Sequence, residues 1–163
     1  MKTLSVEEAQ FDLSISRLKE GSIFGALSEP AIQYLLDEGI LKHAYKDDEI
    51  FSHGSKGGNF NIVLHGSLAF YKHHNNKSTL TRTIHFGEVI GFVSMIALHD
   101  HVGSLYAQEE SLLLEISSNL FSDFHDNFPF DFGILLMNLS RDMARTIRTL
   151  SNALVENNVI IKR

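Results

Sequence analysis

The sequence predicts a mainly β protein with flanking helices: an antiparallel β-roll or jelly roll followed by a long C-terminal helix. Three observations carry that expectation. Between Ile40 and about Ile116, short apolar runs alternate with turn residues, a rhythm that suits strands rather than helices. From Phe132 to about Val155, Leu136, Leu139, Met143, Ile147, Leu150 and Leu154 recur at intervals of 3, 4, 4, 3 and 4, close to a heptad seam, with no proline inside. The chain has 163 residues, 44% hydrophobic and 21% charged, which suits one core-forming domain and excludes a disordered chain.

The elements read in order as follows. Residues 1–23 form an N-terminal segment in which Leu4, Ala9, Leu13 and Leu18 suggest an amphipathic helix of imperfect spacing, ended by Gly21. Residues 24–127 form the roll with its short helices. The first helix runs from Ser28 to Glu38: Ser28 suits the N-cap, Pro30 falls in the first turn, Ala31, Ile32, Leu35 and Leu36 make one apolar face, and Gly39 stops it. Eight strands follow, at Ile40–Tyr45, Glu49–Phe51, Phe60–Leu64, Ser67–Tyr71, Leu80–Phe86, Val89–Ile90, Gly103–Gln108 and Leu112–Ile116. Between them lie turn signals such as Gly57-Gly58, Gly66, Asn75-Asn76, Gly87 and Gly91. Asn119 to Asp126 reads as a short helix, and Phe128-Pro129-Phe130 interrupts before the long one. Residues 128–163 are the C-terminal helical segment, whose seam predicts a homodimer.

Composition narrows the function classes. Fourteen Lys and Arg against twenty Asp and Glu give a net charge of −6, a poor match for a nucleic-acid binder. The absence of cysteine removes disulfides, thiolate nucleophiles and cysteine-based metal sites. No apolar run near the amino terminus resembles a signal peptide, and none elsewhere spans a membrane, so a cytoplasmic location is expected. No Gly-x-Ser-x-Gly elbow, Walker loop or His-Glu-x-x-His motif is present, so no enzyme is expected.

Several local patterns, taken in order, resemble the cyclic-nucleotide-binding domain of the catabolite activator family over about residues 24–155. They are Phe51-Ser52-His53-Gly54, Ile62-Val63-Leu64-His65-Gly66-Ser67-Leu68, Gly87-Glu88-Val89-Ile90-Gly91, Ser104 with Ala107, Leu112–Ile116, and Asn119-Leu120-Phe121. The resemblance implies a β-roll of the double-stranded β-helix type and a phosphate-binding cassette that opens at Gly91. It also implies a cassette glutamate on the ribose 2′-hydroxyl and an arginine on the phosphate. Here Phe92 stands at the glutamate position and His101 at the arginine position. A mostly neutral histidine cannot form the guanidinium fork. Each lost charged partner costs on the order of 2–4 kcal/mol of binding, so the loss of both turns a micromolar cyclic nucleotide into a millimolar one or worse. Gly91, Val93, Ser94, His101 and Ser104 remain as candidate contacts for a small anionic ligand. The family's helix-turn-helix domain lies past the long helix, where this sequence ends at Arg163, so direct DNA binding is not expected.

Other groupings have plainer readings. Nine histidines include His73-His74 and His99-Asp100-His101. They read as loop residues, with a haem or metal sensor through His99 or His101 as the alternative. The Arg141, Arg145 and Arg148 stripe reads as charge flanking the seam, with Asp142 and Glu156 as partners. Phe121, Phe124, Phe128, Phe130 and Phe132 read as core. The expectation is thus a non-enzymatic sensor or regulatory domain with an altered cassette. Its rival is a ligand-free adaptor that dimerises through Leu136, Leu139, Met143, Ile147, Leu150 and Leu154.

Overall fold

A computed structural model describes residues 1–159. The expected roll is present, built from two antiparallel sheets. Strand β1 (Lys2–Leu4) and helix α1 (Ile15–Lys19) precede helix α2 (Glu29–Glu38). Strands β2 (Ile40–Ala44), β3 (Glu49–Phe51), β4 (Asn59–His65), β5 (Leu68–His74), β6 (Lys77–Ile84) and β7 (Val89–Ile90) follow. Helix α3 (Phe92–Ile96), strands β8 (Gly103–Ala107) and β9 (Ser111–Ser117), and helices α4 (Ser118–Asn127) and α5 (Pro129–Glu156) complete the order. One sheet runs β1-β2-β9-β4-β7 and the other β3-β8-β5-β6.

The N-terminal segment departs from expectation. Asp12 accepts from the Ser14 amide and Ser14 caps Arg17, so helix begins only at Ile15. Ahead of it, β1 pairs Lys2–Leu4 with Leu41–His43, an edge contact made by the backbone. Helix α2 matches its prediction: Ser28 is the N-cap and accepts from the Ala31 amide, and Gly39 is the C-cap. Gly21 presses on Gly87, where a Cβ on Gly21 would lie 2.9 Å from the Gly87 Cα.

Alternation along β4 sorts the core. Phe60, Ile62 and Leu64 join the larger cluster beneath the helices, with Phe24, Leu35, Leu114, Phe124 and Leu135. Val63 faces the other way, into the smaller cluster between the sheets with Leu68, Ile84, Leu105 and Leu113.

Helix α5 buries Asp131, Leu135, Asn138, Leu139 and Asp142, a face that includes three polar residues. Asp131 accepts from the Ser28 amide at 2.6 Å and from its hydroxyl at 3.0 Å. The Asn138 amide donates to the carbonyls of Ile23 (3.0 Å) and Gly25 (2.8 Å). Asp142 receives Arg82 at 3.3 Å and Arg145 at 3.6 Å. The seam prediction therefore needs correcting. Leu139 is buried in the chain's own core and Met143 packs against it, because polar anchors turn that side of α5 inward. Leu136, Ile147 and Leu150 stay exposed, and Leu154 is half-buried. Phe130 is likewise no core residue, being 80% exposed, while Phe124 is sealed and Phe121, Phe128 and Phe132 pack around it.

Candidate ligand site

The cassette grows out of β7. Gly91 adopts a left-handed φ of 97° that an L side chain resists, and a Cβ there would meet the Asn59 carbonyl at 3.0 Å. Helix α3 starts on it with no side-chain cap. Val93 points outward and is exposed, whereas Ser94, His101 and Ser104 are buried.

The loop between β3 and β4 lies directly on the cassette. The Gly54 amide donates to the His101 carbonyl and the His101 amide to the Ser55 carbonyl, both at 2.8 Å. The His53 amide donates to the Ser104 hydroxyl at 3.0 Å. Gly57 comes so close that a Cβ would sit 2.3 Å from the His99 carbonyl oxygen. Backbone partners thus already engage Ser104 and the main chain of His101.

Aromatic rings fill the space next to these contacts. His101 stacks on Phe51 with ring centres 3.8 Å apart and planes within 8°. Phe51 meets Phe70 edge-on, and Phe70 leaves so little room that only glycine fits at Gly103. Burial pushes the His101 pKa below the ordinary histidine value, His99 adds to the shift, and Asp100 opposes it. Phe92 turns away from this face into the helix-side cluster, edge-on to both Phe60 and Phe121. The two positions at which the resemblance implies charged ligand contacts thus hold one buried phenyl ring and one imidazole biased to the neutral form.

A polar residue that the sequence reading passed over lies on the same inner face. Asn61 alternates with Val63, pairs with Ile90 across β7 and with Glu115 across β9, and is 1% exposed. Its Oδ1 is the one fully buried side-chain oxygen or nitrogen among the described residues with no hydrogen-bond partner. The available signal was an asparagine inside the apolar run Phe60-Asn61-Ile62. On the neighbouring strands, Lys42 is bonded to Glu115. Among the described residues, no three His, Asp or Glu side chains converge as a metal-ligand set, and His99 turns its Nδ1 to the Asp100 carbonyl instead. The other notable histidines, His53 and His73, stack at 4.9 Å beside a surface concavity of about 700 Å³.

A model of the cyclic nucleotide-binding domain matches residues 41–128. The chain belongs to that family. A cyclic nucleotide-binding domain from Methylobacillus flagellatus superposes with a TM-score of 0.78 at 18% identity, covering 91% of this chain and 83% of that one. The Thermus thermophilus catabolite activator protein gives 0.71 at 19% identity, covering 85% of this chain and 63% of that one. The regulatory subunit of a cAMP-independent protein kinase A from Trypanosoma brucei gives 0.66 at 18%, covering 78% and 43%. At such identities the structural likeness speaks for the fold alone. No curated protein matches the chain. Within this cyclic nucleotide-binding domain, no helix among the described residues is long and apolar enough to cross a membrane.

Proposed function

We propose that the chain is a non-enzymatic regulatory domain that does not hold cyclic nucleotides tightly and passes its state on through α5. One observation carries this reading. The positions of the expected glutamate and arginine are Phe92, packed between Phe60 and Phe121, and His101, stacked on Phe51. An anionic cyclic phosphate needs a cation or several free donors. Here Arg82 is engaged by Asp142 and Glu88, and Lys42 by Glu115. Calorimetric titration with cyclic AMP, cyclic GMP and cyclic dinucleotides tests the proposal. The expected result is no saturable heat below about 1 mM. One-to-one binding in the micromolar range refutes it.

The outer face of α5 favours an assembly role alongside this one. Leu136, Ile147 and Leu150 are exposed on a helix whose inner face is already occupied, and two copies of that face form a self-complementary surface. A ligand alters such an assembly only through different affinities for its two states.

A further inference from the structure

We propose that the tip of the β5–β6 hairpin and the loop after β3 form a binding site, on the outside of the roll, for a small phosphate-bearing anion such as pyrophosphate. The site is separate from the cassette. Along β5, Leu68 and Phe70 turn into the core between the sheets, so Ala69, Tyr71 and His73 lie on the opposite face.

Charge supplies the first argument. The concavity of about 700 Å³ at the hairpin tip is lined by His53, His73, His74 and Lys77, and the rest of its lining, Asn75, Asn76 and Ser78, is uncharged. No carboxylate lines it, although the chain as a whole carries a net charge of −6. Among the described residues no carboxylate pairs with Lys77 or with any of the three histidines. Cationic and protonatable donors gathered without a counter-charge are completed by an anion.

Geometry supplies the second. The His53 and His73 rings stack with centres 4.9 Å apart and planes within 25°. Two protonated imidazoles at that distance repel, and an anion that accepts from both removes the repulsion. Their main chains are already fixed: the His53 amide donates to the Ser104 hydroxyl at 3.0 Å, and the His73 amide to the Val102 carbonyl at 3.2 Å. Ser78 Oγ lies 3.4 Å from His73 Nε2. Once protonated, that nitrogen donates to Oγ and leaves the hydroxyl hydrogen for a ligand. Asn75 and Asn76, with the two positive φ values that a two-residue hairpin turn demands, add side-chain amides to the same space. Donors converging from a loop and a hairpin suit an anion with several oxygens, a phosphate group above all.

The surroundings limit its size. An adjoining concavity of about 540 Å³ shares His73 and Ser78 and carries Lys46 with Asp47, beside Tyr71 and Tyr106. Lys72 precedes His73 in β5. The loop packed beside His53 and His73 brings His99, Asp100 and the buried His101, and Lys56 pairs with Asp100 at 3.6 Å. An extended polyanion such as nucleic acid, or an anionic bilayer, meets the repulsion of the whole acidic chain, whereas a small anion meets the local cluster.

Calorimetry and amide spectra of the full chain test this, with pyrophosphate and sulfate as probes at constant ionic strength. Pyrophosphate is expected to bind one-to-one with a Kd below about 1 mM at about pH 6, and to shift the signals of His53, His73 and Lys77. Sulfate keeps its double charge between about pH 5.5 and about pH 8, so its affinity reports the protein alone. That affinity is expected to fall about tenfold over this range as imidazoles lose their protons. His53→Gln combined with His73→Gln should abolish the pH dependence, and Lys77→Gln should weaken pyrophosphate about fivefold. Lys77 is exposed, so its variant carries the test should the double variant not fold. Absence of saturable pyrophosphate binding, a sulfate affinity independent of pH, or unchanged binding by Lys77→Gln overturns the inference. Shifts confined to Gly91, Val93 and Ser94 place the anion in the cassette and overturn it too. Capture on phosphatidic acid vesicles without pyrophosphate binding overturns the small-anion assignment in favour of a lipid surface.

Discussion

Removing the Asn138 side chain tests how α5 is fastened to the rest of the molecule. The Nδ2 group serves two carbonyls at once, Ile23 at 3.0 Å and Gly25 at 2.8 Å, while Oδ1 accepts from Arg141 at 3.0 Å. In Asn138→Ala the Ile23 carbonyl lies among buried residues and stays dry, which costs about 1–3 kcal/mol. The Gly25 carbonyl is only part-buried and water can replace its donor, so its loss costs about 0.5–1 kcal/mol. The sum is about 1.5–4 kcal/mol, to be read from the midpoint of urea unfolding followed by circular dichroism at unchanged slope. Asn138→Asp carries the sharper test. An ionised carboxylate faces two carbonyl oxygens and has no proton to give them, so it destabilises more than alanine does, although Arg141 offsets part of the charge. Its folded-state pKa is raised because the site favours the protonated donor. Stability of this variant therefore climbs as pH falls through that raised pKa, and levels off below the ordinary aspartate value near 4. A loss below about 0.5 kcal/mol in the alanine variant, or an aspartate variant as stable at pH 7 as the alanine one, refutes the assignment.

Two further outcomes are expected. Burial lowers the His101 pKa, so as pH drops below about 6.5 the unfolded chain takes up the proton first, and stability falls until the folded-state pKa is passed. This single group supplies a slope of at most about 1.4 kcal/mol per pH unit. His101→Phe keeps a stack on Phe51 and should flatten the stability profile below pH 6.5, whereas an unchanged profile refutes the burial account. Ile147→Glu combined with Leu150→Glu should convert a dimer to a monomer in sedimentation velocity and weaken association by about a hundredfold or more. An unaltered chain that is monomeric at about 100 µM removes self-association as the role of that face.

Much of the fold could be read from local rules. Ser28, Pro30 and Gly39 bracket α2 because each suits a helix end for its own reason, and Val89–Ile90 lies between two glycine turns. Strand β1 was illegible because its three residues are held by backbone pairing and have no apolar alternation to show. The inner face of α5 was misread for a related reason. Its anchors Asp131, Asn138 and Asp142 are polar, so a search for apolar spacing settles on the wrong stripe. The departures at Phe92 and His101 were visible in the sequence. The way they are filled was not, since the stack on Phe51, the edge of Phe70 and the seat of the overlying loop on Gly57 depend on long-range register. Asn61 was in plain view within an apolar run, but its missing partner is a property of three dimensions.

The contact between Gly21 and Gly87 sets where movement can occur. Main chain rests on main chain there, with no side chain able to change rotamer and absorb a displacement. The segment before α2 and the turn ahead of the cassette must consequently travel as one block. Asp131 and Asn138 tie the first half of α5 to the same block, and among the described residues the last hydrogen-bonded tie is Arg145, which reaches Ser22 at 3.4 Å. The part of the helix beyond Arg145 is therefore the least restrained against displacement.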